Sequence, residues 1–233
     1  GSSAASDVYK RQESIGSLQL AIEQFEKTLA DKPFQSNLKH TVVLGLAQRL
    51  VEFARGSEAT GRMGLAAANA ALGRMCMETV FKLKAICLGA ASAEDYAKQE
   101  KVARFQSLKR VLNLSNLSDL FTAEELSEYR DELNQIEKDL GPKVGNHEIK
   151  LSTWAHKAEE GATYALAYSV LSDYVHSGAS SISHIMEVRE GGQVFIQTGP
   201  SCHQLESIFK GVRIYLTVAA SAIEQMFADE LSR

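Results

Sequence analysis

The sequence predicts an all-α fold, a multi-helix bundle with one short strand or extended loop near residues 193–197. Proline occurs only at Pro33, Pro142 and Pro200 in 233 residues. Apolar residues recur at three-to-four spacing through most of the chain, the period of a helix with one buried face. Period-two alternation is confined to "GGQVFIQTG", which is too short to make a sheet protein. With 45% hydrophobic residues the chain can bury a sizeable core, and a single helical domain over 13–233 accounts for it. The opening "GSSAASDVYKRQ" (1–12) reads as a cloning scar joined to a sequencing-library end and is set apart from the fold.

Taken in order, Leu18, Ile22, Phe25 and Leu29 form the first apolar stripe, stopped by Lys32-Pro33. Val43, Leu46, Leu50 and Phe53 form the second, with a stop expected near Gly56. Residues 61 to about 88 make a third helix, rich in small side chains that let neighbours approach closely, and so the expected centre of the bundle. A fourth runs from about 93 to 112, followed by "NLSNLSDL" as a turn or short irregular helix. Thr122 with Glu125 is a capping box that opens a polar helix ending near Leu140. Ser152 or Thr153 is the expected start of the next helix, which carries "YALAYSVLSDYVHSG" and ends at Gly178. Pro200 is placed to open the last helix, with Leu205, Ile208, Val212, Tyr215, Ala219, Ile223 and Phe227 on one face. So long an apolar face suggests a homodimer.

The formal net charge of -4 supplies no global basic field, which argues against long duplex DNA as a partner. Cys76, Cys87 and Cys202 lie in apolar helical patterns without metal-ligand spacing and read as buried thiols of a reducing, cytoplasmic protein. No apolar run approaches the ~20 residues that a membrane span needs, so no membrane is expected. Walker, GxGxxG and GxSxG signatures are absent. His184 and His203 flank the glycine-rich loop, but no HExxH, paired CxxC or carboxylate cluster accompanies them, and neither a metal nor a cofactor is assigned. Lys82 and Lys84 read as part of a solvated face, and Trp154 as core.

Two helices hold polar residues that the apolar pattern does not explain. Arg74 and Glu78 are four apart on the third helix and face the same way. Buried there, the pair must be hydrogen-bonded or matched, because an unpaired buried charge is costly. On the later helix Tyr164, Tyr168, Ser172 and His176 follow at steps of four, so three hydroxyls and an imidazole share one slowly spiralling stripe. Asp173, three residues before His176, either fixes the ring's tautomer or faces solvent. The plain alternatives are a structural ion pair and a histidine held by the helix C-terminal dipole.

"GRMCMETVFKLKAI" (73–86) and "STWAHKAEEGATYALAYSVLSDYVHSGASSI" (152–182) together resemble a large bacterial family catalogued as domain of unknown function 5677, with its R-x-x-x-E helix and its W, Y-x-x-x-Y, S-x-x-x-H segment. The likeness spans about 62–182. That family is in turn similar to HEPN-type (higher eukaryotes and prokaryotes nucleotide-binding) helical domains, several of which are metal-independent ribonucleases of toxin and phage-defence systems. The resemblance implies RNA or a nucleotide as ligand, Arg74, His176 and Glu78 as the catalytic set, and Tyr164, Tyr168, Ser172 and Asp173 as binding residues. In HEPN enzymes the arginine and the histidine usually lie close together in an R-x(4-6)-H motif, often across a dimer interface. Here none lies within six residues of His176, and Arg74 on another helix would have to supply it. The other function open to these residues is a non-catalytic binding or regulatory protein whose polar network fixes helix packing or holds a small ligand.

Overall fold

The structure, a computed structural model, describes residues 2–175, 182–183, 185–188, 191–196, 199–201 and 204–232, with the backbone alone for 2–11, 118, 175 and 187. It is an all-α bundle. Helices α1 (Ser2–Ala30), α2 (Leu38–Arg62) and α3 (Ala66–Cys87) lead into α4 (Ala93–Leu112) and the single turn α5 (Leu117–Leu120). Then come α6 (Ala123–Leu140), a 3-10 turn (Val144–His147), α7 (Leu151–Lys157) and α8 (Gly161–Val175). Strands β1 (Met186–Val188) and β2 (Val194–Ile196) precede α9 (Leu205–Leu231).

Helix α3 is central, as its small residues predict: it packs against α2, α7, α8 and α9. Its buried side chains include Met77, Val80, Phe81, Leu83 and Ile86, which join Leu18, Ile22 and Phe25 of α1, Leu50 of α2 and Trp154 of α7 in the main core. All seven residues of the predicted α9 face are buried in that core. The apolar face that suggested a homodimer is therefore covered by this chain's own α1 and α3. A second, smaller core lies between α4, α6 and the 3-10 turn, where Val102, Leu108, Ile136 and Val144 meet. The Thr122–Glu125 capping box forms, and α4 opens on a second one, Ser92 with Asp95. No helix among the described residues is long and apolar enough to cross a membrane.

Four element boundaries differ from expectation. Helix α2 runs through Gly56 to Arg62 because its glycines are sites of close approach. A Cβ on Gly56 would stand 3.2 Å from Leu72 Cδ1, and one on Gly61 2.3 Å from Phe209 Cζ. The turn comes instead at Gly64, whose φ of 72° is the left-handed region where a side chain is disfavoured. Pro200 does not start α9: it sits against Gly64, whose carbonyl accepts from the Ser201 N–H at 2.8 Å, and α9 begins five residues later. The helix expected to start at Ser152 or Thr153 begins at Leu151 and is two helices, α7 and α8. Between them Glu159 takes a φ of 59° and the Glu160 N–H reaches back to the Ala155 carbonyl at 2.8 Å, a Schellman closure in which a glutamate stands where glycine is usual. The expected strand is found as β2, but it has a partner: β1 pairs with it antiparallel, Met186 opposite Ile196 and Val188 opposite Val194. Gly178, expected to end α8, lies outside the described residues.

Candidate functional site

Because α3 and α8 pack antiparallel, a residue late on α3 faces one early on α8. At one end Lys84 Nζ lies 2.7 Å from Glu160 Oε1, while Thr163 donates to the other oxygen of the same carboxylate at 2.6 Å. In the middle Phe81 meets Tyr164 edge to face, and Tyr164 stacks on Tyr168 with ring centres 4.8 Å apart. At the far end Arg74 spans the two helices. Its Nε donates to Glu78 Oε1 at 2.7 Å, Nη2 to the Tyr168 hydroxyl at 2.9 Å and Nη1 to Ser172 Oγ at 3.3 Å. The Arg74 Cζ also stands 4.7 Å from the centre of the Tyr168 ring.

The stripe read from steps of four therefore faces α3, and five of the predicted residues, Arg74, Glu78, Tyr164, Tyr168 and Ser172, meet in one seam. The guanidinium's planar fork explains why arginine occupies this position: it directs N–H groups to three acceptors on two helices, which a lysine ammonium cannot match in the same plane. The Arg74 side chain is 15% exposed and that of Glu78 27%, so the pair is partly screened and keeps an opening to water. Asp173 lies on the exposed side of α8. His176 lies outside the described residues, as do His184, His203 and Cys202. Chemically, a guanidinium with two hydroxyls and an orienting carboxylate can hold a phosphate or offset developing negative charge.

Behind Glu78, away from α8, a cavity of about 410 Å³ opens between α3, α4 and the segment 148–154. Lys82, Tyr96, Gln99, Glu148 and Trp154 are in its lining. Gln99 shapes it by donating to the His147 carbonyl at 2.7 Å and accepting from the Ile149 N–H at 2.7 Å. Trp154 is core, as expected, at 1% exposure. Lys84 is a correction: the reading as solvated face fails because it is tied to Glu160 and largely buried. No arrangement of three His, Cys, Asp or Glu side chains suited to a metal occurs among the described residues.

Sequence reasoning missed a second polar junction, where α2 begins and α9 ends. His40 is 1% exposed, and its Nδ1 accepts from the Gln35 N–H at 2.8 Å. A backbone N–H can only donate, so the ring proton sits on Nε2 and is donated to Glu230 Oε2 at 2.9 Å. Lys39 meets the other oxygen at 2.9 Å. Burial pushes the Glu230 carboxyl up, but the hydrogen bonds from Lys39 and His40 and the charge of Lys39 outweigh it and hold the group below the usual glutamate value. The only local signal was Asn37, whose side chain caps the His40 N–H and so places His40 in the first turn of α2. The partner is 190 residues away and has no signature in sequence.

These features define a class of protein: an all-α bundle whose central helix clasps a polar stripe on a later helix through one arginine. Within that class the chain belongs to a family of unknown function (DUF5677), whose profile matches residues 40–193 and so takes in Arg74, Glu78 and the whole of α8. No curated protein and no solved structure matches the chain.

Proposed function

We propose that this chain is a HEPN-like, RNA-cleaving protein of a bacterial or phage defence or toxin system, with its working end where Arg74 meets the last turn of α8. The observation that supports this reading is the Arg74 Nη1 to Ser172 Oγ contact of 3.3 Å. It brings an arginine from α3 onto α8 at the residue four before His176, and so answers the absence of an arginine just upstream in sequence. His176 takes the proton of a ribose 2'-hydroxyl or returns one to the leaving oxygen, and Arg74 offsets charge at phosphorus. Glu78 orients Arg74, and Tyr168 and Ser172 position the phosphate. The test is incubation with a mixed RNA pool in the presence of a chelator, run with the parent, His176→Ala and Arg74→Lys. Cleavage by the parent that both variants lose while keeping the parent's helical circular dichroism is the expected result; a parent that leaves RNA intact overturns it.

A second reading is favoured by how fully Arg74 is engaged: Nε, Nη1 and Nη2 each have an acceptor within the chain. In a non-catalytic binding protein this clasp fixes α8 on α3, and the cavity beside Glu78 takes the ligand. Under that reading Arg74→Lys lowers the melting temperature, and the parent shows no turnover.

A further inference from the structure

The cavity beside Glu78 holds polar groups whose partners the chain does not supply. Trp154, 1% exposed, is in its lining. Its indole N–H has no acceptor among the described residues, although a buried tryptophan N–H usually finds one. The one sealed side-chain polar atom left unpaired among those residues is Asn69 Nδ2, so the Trp154 N–H is open to the cavity. Tyr96, whose ring meets Trp154 edge to face with centres 6.4 Å apart, brings a hydroxyl that makes no hydrogen bond among the described residues either. Burial, and then the charge of Glu100, raise that hydroxyl above its ordinary value, which keeps it a donor at neutral pH. Lys82 is the third donor. Its ammonium makes no ion pair among the described residues, and Glu78, the carboxylate four residues before it, is turned to Arg74 at 2.7 Å.

Three donors without acceptors around one space call for a group with several lone pairs. The rim adds the opposite chemistry. Glu100 makes no hydrogen bond or ion pair among the described residues, and Glu148 commits one oxygen to Gln106 Nε2 at 3.0 Å. Both carboxylates are exposed. Their charges outnumber that of Lys82, which disfavours a phosphate or any other polyanion, whereas a ligand with one anionic and one cationic group satisfies both sets. Val102 and Leu151 supply apolar wall, and a volume of about 410 Å³ is in the range of small-molecule sites. We propose that this cavity binds a free amino acid with an apolar side chain: its carboxylate accepts from Lys82, Tyr96 and Trp154, its ammonium meets Glu100 and Glu148, and its side chain lies against Val102 and Leu151. The inference rests on the binding reading above and gives its ligand a chemical class.

Trp154 is the one tryptophan of the chain, so its emission reports on the cavity directly. The test titrates the full chain with L-leucine, L-isoleucine, L-methionine and L-phenylalanine, following tryptophan emission and confirming by calorimetry. Each binder is compared with the acid that lacks its ammonium and the amine that lacks its carboxylate, isocaproate and isoamylamine in the case of leucine. Saturable binding of at least one amino acid is expected, with both counterparts weaker by about tenfold or more. Lys82→Met and the double variant Glu100→Gln, Glu148→Gln each weaken the amino acid to a similar degree at unchanged helical circular dichroism. An acid that binds as well as its amino acid, or either variant binding like the parent, overturns the zwitterion and leaves the cavity as a ligand site, with the binding reading intact. Saturation by none of the four amino acids overturns the proposal as a whole; the binding reading is judged separately, by whether the parent turns over RNA.

Discussion

Arg74 is the residue on which the seam turns, and its consequences can be separated by substitution. Arg74→Ala removes at least the three hydrogen bonds to Glu78, Tyr168 and Ser172 and strands a partly buried Glu78, an expected loss of about 1–3 kcal/mol in urea unfolding. Tyr168→Phe removes one hydrogen bond to a charged group while keeping the ring under the guanidinium, so the expected loss is smaller, about 1–2 kcal/mol. Equal losses would show that the hydroxyl carries the whole clasp. The cysteines make a second residue-scale case. Burial pushes the Cys87 thiol up to about 12, against a small opposing effect of Lys39, and burial raises Cys76 as well. The reactive species is the thiolate, so both stay inert in the native state. In a Cys202→Ser background, a thiol reagent at pH 8 is expected to label neither until denaturant is added; fast labelling of the native protein would contradict this.

Among elements, the glycine turns distinguish backbone freedom from close packing. Gly64 and Gly89 both take positive φ, 72° and 70°. A Cβ on Gly89 would meet nothing within 4 Å, whereas one on Gly64 would stand 2.6 Å from Pro200 Cβ. Gly89→Ala should therefore cost only the left-handed conformation, about 1–2 kcal/mol. Gly64→Ala adds overpacking against the segment that precedes α9, at least about 1 kcal/mol more. Chemical denaturation of the two variants checks the order. Capped helices were legible in sequence, because a capping box such as Thr122–Glu125 satisfies orphan N–H groups with side chains a few residues away. The α7–α8 break was not, since nothing in "AEEGATY" marks Glu159 as the left-handed residue. Packing of α7 on α3 and the Lys84–Glu160 pair on α8 hold that turn from outside.

For the whole molecule, the junction of Lys39, His40 and Glu230 ties the start of α2 to the end of α9 and so closes the bundle. The Glu230 carboxyl is held below its ordinary value, so the unfolded chain binds its proton more readily than the folded one. Its contribution is fully present above about pH 4.3, the ordinary glutamate value, and is lost as pH falls through the lowered folded value. Unfolding of parent and Glu230→Gln should thus differ at pH 6 and converge as the pH falls below the lowered folded value. A difference that grows in acid would show that the carboxylate is not what the junction stabilises. By itself the sequence determined the all-α class, the central place of α3, the buried face of α9 and the Arg74–Glu78 pair, because helical period, small residues and i,i+4 spacing are local facts. Only the tertiary structure decided that Arg74 reaches Tyr168 and Ser172, that Lys84 finds Glu160, that His40 finds Glu230 and that the α9 face is covered from within. The physical reason is common to all four: each contact joins helices far apart in the chain, and packing angle and register, set by the whole core at once, decide which side chains meet.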